Sequence, residues 1–323
     1  MMELNNRAIR FLARMGARGT FGQALYDMAK DGIDFYATTA DLGHASGFDR
    51  MVREYPEQVV NVGIAEQNLV GISAGLAKDR TPVFATSWAM FASVRCLDQV
   101  RNLMGYMKNN VKLVGLDSGF EWARFGYSHM NPSDIAIMRT IPNIMIVSPC
   151  DGMELYKSVY AIAKYKGPVY LRVTGGNLIT PIHKEPDFEF ELGRAITMQE
   201  GEDVVFVACG SILANVMKAA KILEEKKISS TIIDMHTICP IDNEVLDSIT
   251  DHKLLVTVEE HSVYGGLGSL IAEYYADKEK RPMQLMLGSS NEIPKAGTSE
   301  YIAQQYGLLP KQIAESVENK LRG

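Results

Sequence analysis

At 323 residues the chain is long for one domain and comfortable for two, and its 46% apolar content is enough to build both cores. A net charge of −6 and a pI near 5.6 argue against a nucleic-acid or anionic-membrane surface. No apolar stretch reaches transmembrane length, and "MMELNNRAIRFLARMGARG" has no signal-peptide core, so a soluble cytoplasmic protein is expected.

Along the first half, apolar strands alternate with helical patterns. The strands are "IDFYATTA", "QVVNV", "TPVFATS", "VKLVGL", "NIMIVSP" and "GPVYLRV". Helical spacing is expected over Phe21–Lys30, Ile64–Ala77, Met90–Asn102 and Gly152–Lys164. Such alternation implies an α/β fold, a mostly parallel sheet with helices on both faces. "TGGNLITPIHKEPDFEFELG" then brings Gly, Pro and charge without periodicity, as a linker does. A second α/β unit follows: strand "DVVFVACG", helix "ILANVMKAAKILEEKK", strand "STIIDM", a helix near Ile241–Ile249, strand "KLLVTVEE" and helix Leu267–Tyr275. The expected organisation is a first domain over 1–180, a linker over 181–195 and a second domain over 196–323.

Ligands of open parallel sheets bind beyond the carboxyl ends of the strands. By that rule Asp41–Ser46, Gly63–Glu66, Ser87–Trp88, Asp117–His129 and Arg172–Gly175 share one rim. Glu66 opens a helix just after an apolar strand, among Val62, Ile64 and Ala65. Gly71, Ala74 and Gly75 then make a small-residue face that a second helix can approach closely. An acid in a first helical turn also complements the helix dipole, by up to about 1 kcal/mol.

Other constellations are weaker. Six histidines without Hx3H or HxH spacing give no metal site, and four separated cysteines (Cys96, Cys150, Cys209, Cys239) read as buried, reduced thiols. "GSILAN" and "YGGLGS" lack the full phosphate-loop spacing and read as caps or tight turns. Ser46, His129 and Asp117 supply triad residue types, but without a GxSxG elbow.

"NVGIAEQN" with "GISAGLA", preceded by "ADL" and followed by "SWAMFASVRCLDQVRN", resembles the pyrimidine-binding domain of transketolases. The likeness continues through "SHMNPSDIAIMRTIPNIMIVSPCDGMEL" and "VTVEEHSVYGGLGS", and "EQN" favours transketolases over deoxyxylulose-phosphate synthases. The resemblance implies thiamine diphosphate as cofactor, with Glu66 on its pyrimidine N1′ and Trp88 and Phe91 holding the ring. It places Asp41 in the active site and Arg18, His129 and Arg172 on the substrate phosphate, with His44 and Ser46 beside a polar substrate contact. Transketolases bind Mg²⁺ and the diphosphate through a GDG…N segment that this sequence lacks. The resemblance therefore implies a split enzyme: two copies of this chain and two of an N-terminal partner, acting on phosphorylated sugars. A non-catalytic docking module is the competing reading. Counted back from His129, Asp117 stands where a donor-contacting His is usual, and Phe125 where an Asp usually reads the donor's C2 configuration. The expected donor is accordingly an unusual ketose phosphate, with xylulose 5-phosphate used poorly.

Overall fold

The computed structural model describes residues 2–322. Two sheets form. The first contains β1 (Tyr36–Thr39), β2 (Val59–Asn61), β3 (Val83–Trp88), β4 (Val111–Leu116), β5 (Met145–Val147) and β6 (Val169–Arg172). The second contains β7 (Ile196–Gln199), β8 (Val204–Ala208), β9 (Ser230–Asp234), β11 (Leu254–Ser262) and β12 (Met283–Ser289). The remaining strand, β10 (Thr237–Cys239), lies after the linker yet joins the first sheet, giving the order β10-β5-β6-β4-β3-β1-β2. It pairs antiparallel to β5, Thr237 opposite Val147. The second sheet runs β12-β11-β8-β9-β7, with β7 antiparallel to β9 and the other pairs parallel.

The central strands are apolar without alternation, because helices cover both faces of each sheet. β4 and β8 are buried along their whole length. The helix over the first sheet starts earlier than its periodicity shows, running Asn6–Lys30 with a break at Gly16. There φ is +72°, and a Cβ would lie 2.7 Å from the backbone of Asn177, so the 176–177 turn reaches the helix through a gap only glycine leaves. Past the break, Arg18 faces the rim.

The expected helix Met90–Asn102 is instead a π-helical turn Phe91–Arg95, a short α-helix Leu97–Gln99 and a second π-helical run Val100–Tyr106. The wider winding changes which side chains share a face, and π segments are frequent at functional sites. Helices Asp49–Glu54, Asp134–Arg139, Ser299–Gln305 and Pro310–Arg322 complete features that the sequence pattern did not mark. Among the described residues, no helix is long and apolar enough to cross a membrane.

Candidate functional site

Parallel pairing brings the carboxyl ends of β2, β1, β3, β4 and β6 to one rim. Glu66 begins the helix Glu66–Leu76 and is 2% exposed. Its sequence neighbours do not bury it, since Ile64 is 78% exposed. Ser87 Oγ donates to its Oε1 at 3.3 Å, and Arg95 Nη1 donates to its Oε2 at 2.9 Å. The same guanidinium lies 3.9 Å from the Phe91 ring centroid. The π-helical winding from Phe91 to Arg95 thus puts an aromatic face and a cation beside the carboxylate.

From Phe91 a chain of rings crosses the rim. Phe91 meets His129 at 5.6 Å, His129 meets Phe125 at 5.4 Å, Phe125 meets Trp122 at 4.9 Å, and Trp122 meets Trp88 at 4.9 Å. Arg18 closes the arc, 5.5 Å above Trp88, donating to Asn177 Oδ1 at 2.9 Å and lying 3.4 Å from Asp117. Beyond it lies a cavity of about 270 Å³ lined by Arg18, Asp117, Glu121, Arg124, Asn177 and Ser299. Asp117 Oδ1 is buried without a hydrogen-bond partner, and burial raises its pKa against the pull of Arg18. Burial, with Glu260 and Asp117 nearby, pushes the Glu121 carboxyl up to about 8.

Glu66, Phe91, His129, Phe125, Trp88, Arg18 and Asp117 are therefore brought together; the other expected residues are not. Arg172 is fully buried: its Nε bonds both oxygens of Asp134 at 3.1 and 3.0 Å, and Nη2 donates to the Glu260 carbonyl at 2.8 Å. The residue expected on the substrate phosphate is thus enclosed in this structure, with Nε on Asp134 and Nη2 on a carbonyl of the second domain. Ser46 is likewise buried and donates its hydroxyl to the Leu42 carbonyl, 2.7 Å away. His44 is exposed and pairs with Asp49. Asp41 stands at the end of β1 with φ +60°, exchanging two 3.0 Å hydrogen bonds with Asn61. Cys239 is only half-buried, unlike the other three thiols.

Glu121, Arg124, Asn177 and Ser299 were missed by sequence reasoning. Only the flanking Asp117–His129 segment pointed toward the first two; Ser299 arrives from the second domain. The "YGGLGS" turn is a cap, as expected. Glu259 accepts from the Leu267 and Gly268 N–H groups at 2.8 and 2.9 Å, filling with a carboxylate the place a phosphate would need.

The parallel rim thus carries a buried acid at a helix start, bonded to an arginine that lies against an aromatic ring. Residues 14–180 match the transketolase pyrimidine-binding domain and residues 193–313 the transketolase C-terminal domain. The chain belongs to the transketolase family. It is 36% identical to a putative transketolase C-terminal section of Methanocaldococcus jannaschii, over 95% of this chain and 96% of that one. It is 36% identical to an apulose-4-phosphate transketolase subunit of Phocaeicola vulgatus (91% and 94%). With the 6-deoxy-6-sulfo-D-fructose transketolase subunit of a Clostridium species it shares 35% (93% and 92%). A solved split-gene transketolase, described as an inactive beta4 tetramer, superposes with a TM-score of 0.85 at 34% identity, covering 94% of this chain and 98% of that one.

Proposed function

We propose that the chain is the C-terminal subunit of a split, thiamine-diphosphate-dependent transketolase that moves a two-carbon ketol unit between phosphorylated sugars. The observation that carries this reading is Glu66, nearly inaccessible to water and bonded to an arginine that lies against the Phe91 ring. The site fits an aminopyrimidine: one buried carboxylate oxygen already accepts a donor from Arg95, lying against an aromatic face. Bound thiamine diphosphate would supply a nucleophilic thiazolium carbon. Glu66 would share a proton with N1′, and Phe91 would pack against the ring. Arg18 and Arg124, at the mouth of the 270 Å³ cavity, would hold the sugar phosphate, with His129 between them and the cofactor end. Mg²⁺ ligands are assigned to an N-terminal partner.

The face bearing Gly71 and Gly75 is open, with nothing within 4 Å of where a Cβ would stand, next to exposed Ile64. It supports a subunit contact beside Glu66, in a complex of two chains and two partners. The exposed Phe125 ring, where a donor-reading carboxylate is expected, supports a donor other than xylulose 5-phosphate. Two relatives named for apulose 4-phosphate and for 6-deoxy-6-sulfo-D-fructose agree with that preference. The test is reconstitution: the chain, an N-terminal partner, thiamine diphosphate and Mg²⁺ are mixed and a panel of ketose phosphates is screened. Turnover should require both chains. Robust activity from this chain alone overturns the split assignment, and xylulose 5-phosphate as the best donor by a wide margin overturns the donor reading.

A further inference from the structure

A second polar centre lies at the other side of the first sheet, where the linker and the second domain meet β5. After β5 the chain turns through Cys150 into the helix Gly152–Lys164, capped by Asp151. Glu154, in its first turn, accepts from the Cys150 N–H through Oε2 at 2.6 Å, and its Oε1 is left without a partner. Asp151 Oδ2 takes the N–H groups of Ile182 and His183, both at 2.8 Å, and so ties down the linker. The His183 ring lies flat on Phe188, 3.7 Å away and tilted 8°. Asp234, at the carboxyl end of β9, is fully buried, and neither of its carboxylate oxygens has a partner.

Donor atoms of Cys150, Glu154, His183 and Asp234 all lie within 4.8 Å of one another. His183 Nε2, itself unpartnered, is 3.7 Å from Glu154 Oε1 and 3.7 Å from Asp234 Oδ2. That separation is too long for hydrogen bonds. It matches the spacing of about 3.3–3.8 Å between ligands on a tetrahedral ion with bonds of about 2.0–2.3 Å. Two fully buried carboxylates with three unpartnered oxygens between them, Glu154 Oε1 and both of Asp234, are costly to keep charged. One proton on an imidazole serves only one carboxylate oxygen, whereas a divalent cation serves every inward-facing atom.

We propose that Cys150, Glu154, His183 and Asp234 form a structural site for a divalent transition-metal ion, with zinc the best match. One sulfur, one nitrogen and two oxygens are a zinc-type set, and four protein ligands leave no open position for catalysis. On binding, the Cys150 thiol gives its proton to solvent and the sulfur bonds the metal as thiolate. The ligands come from the first domain, the linker and the second domain, so the ion fastens all three.

The test uses the untagged full-length chain, loaded with Zn²⁺, desalted and assayed for metal by atomic emission. One zinc per chain is expected. Replacing it with Co²⁺ should give the visible bands of tetrahedral cobalt together with a thiolate-to-cobalt charge-transfer band. Cys150→Ser should lose the charge-transfer band alone, and a chelator should lower the wild-type Tm by several degrees. Substoichiometric zinc after loading, or octahedral cobalt without charge transfer in the wild type, would overturn the site in favour of water and a protonated His183. So would metal content and charge transfer that persist unchanged in both Cys150→Ser and His183→Gln.

Discussion

The Arg95 guanidinium donates to Glu66 at 2.9 Å while lying 3.9 Å from the Phe91 ring centre, so it fills the space between the acid and the aromatic face. Any ring that reaches Glu66 must displace it. Arg95 is nearly half exposed but Glu66 is buried and would keep only the 3.3 Å bond from Ser87, so losing the contact should cost about 1–3 kcal/mol. In the assembled enzyme, Arg95→Ala should tighten thiamine diphosphate binding by a few fold in a fluorescence titration. A loss of more than tenfold would mean that Arg95 swings aside to hold the cofactor.

Glu66→Gln exchanges a proton-sharing acid for an amide of equal size. The thiamine C2 proton should exchange roughly 10²–10⁴-fold more slowly in the reconstituted variant, the range of general acid–base contributions. Thermal unfolding should be unchanged. Exchange at the wild-type rate would remove Glu66 from this role.

The two arginines expected to hold phosphate should now separate. Arg18→Ala removes a cavity-lining cation and should raise KM for phosphorylated sugars by the equivalent of about 1.5–3 kcal/mol, a charge-assisted contact. Unphosphorylated analogues should be little affected. Arg172→Ala leaves the buried Asp134 carboxylate without its counter-charge, though still bonded by Tyr170 and the Ile135 N–H, and should cost about 3–5 kcal/mol of folding stability in urea unfolding. A stable Arg172→Ala variant with a selective phosphate defect would restore the role its sequence position implies.

Glu121 predicts a pH dependence. Raised from an ordinary 4.5 to about 8, it is largely neutral at pH 7, so Arg18 and Arg124 face an anion opposed mainly by Asp117. As pH rises through about 8, Glu121 ionises and KM for the sugar phosphate should rise. Stability follows the same sign: the folded chain holds this proton more tightly, so the contribution is complete below about 4.5 and lost as pH rises through about 8. Glu121→Gln should flatten both profiles. An unchanged KM profile in that variant would point to another titrating group.

Lys112 is fully buried, with its ammonium donating to Asn110 Oδ1 and to the carbonyls of Tyr165 and Gly167 at 2.6–2.7 Å. Lys112→Met takes this donor from the Tyr165 and Gly167 carbonyls, while Asn110 Oδ1 keeps the Gly167 N–H, and should cost about 2–4 kcal/mol in urea unfolding, with activity per folded molecule retained. A neutral effect would show that water reaches these carbonyls.

The α/β fold was legible because buried parallel strands are written as continuous apolar runs, such as "VKLVGL" and "DVVFVACG". The Glu66 turn was legible because strand, glycine and helix follow one another locally. What escaped depends on partners distant in sequence. Arg172 reads as a rim residue until Asp134 and the Glu260 carbonyl are seen to enclose it. Cys150, His183 and Asp234 have no spacing motif, because three separate segments deliver them to one point. The Phe91–Arg95 winding escaped because no local residue pattern marks where i→i+4 hydrogen bonds give way to i→i+5.

The placement of β10 has a consequence for synthesis. A chain emerging from the ribosome completes β1 to β6 well before Thr237–Cys239 exists, so the backbone edge of β5 stays bare in the meantime. A gene fragment ending near the linker would keep that edge permanently, an open template for pairing with other molecules. The unit that can be cloned, truncated or swapped between relatives is therefore the whole chain, although its sequence divides cleanly into two families of domain.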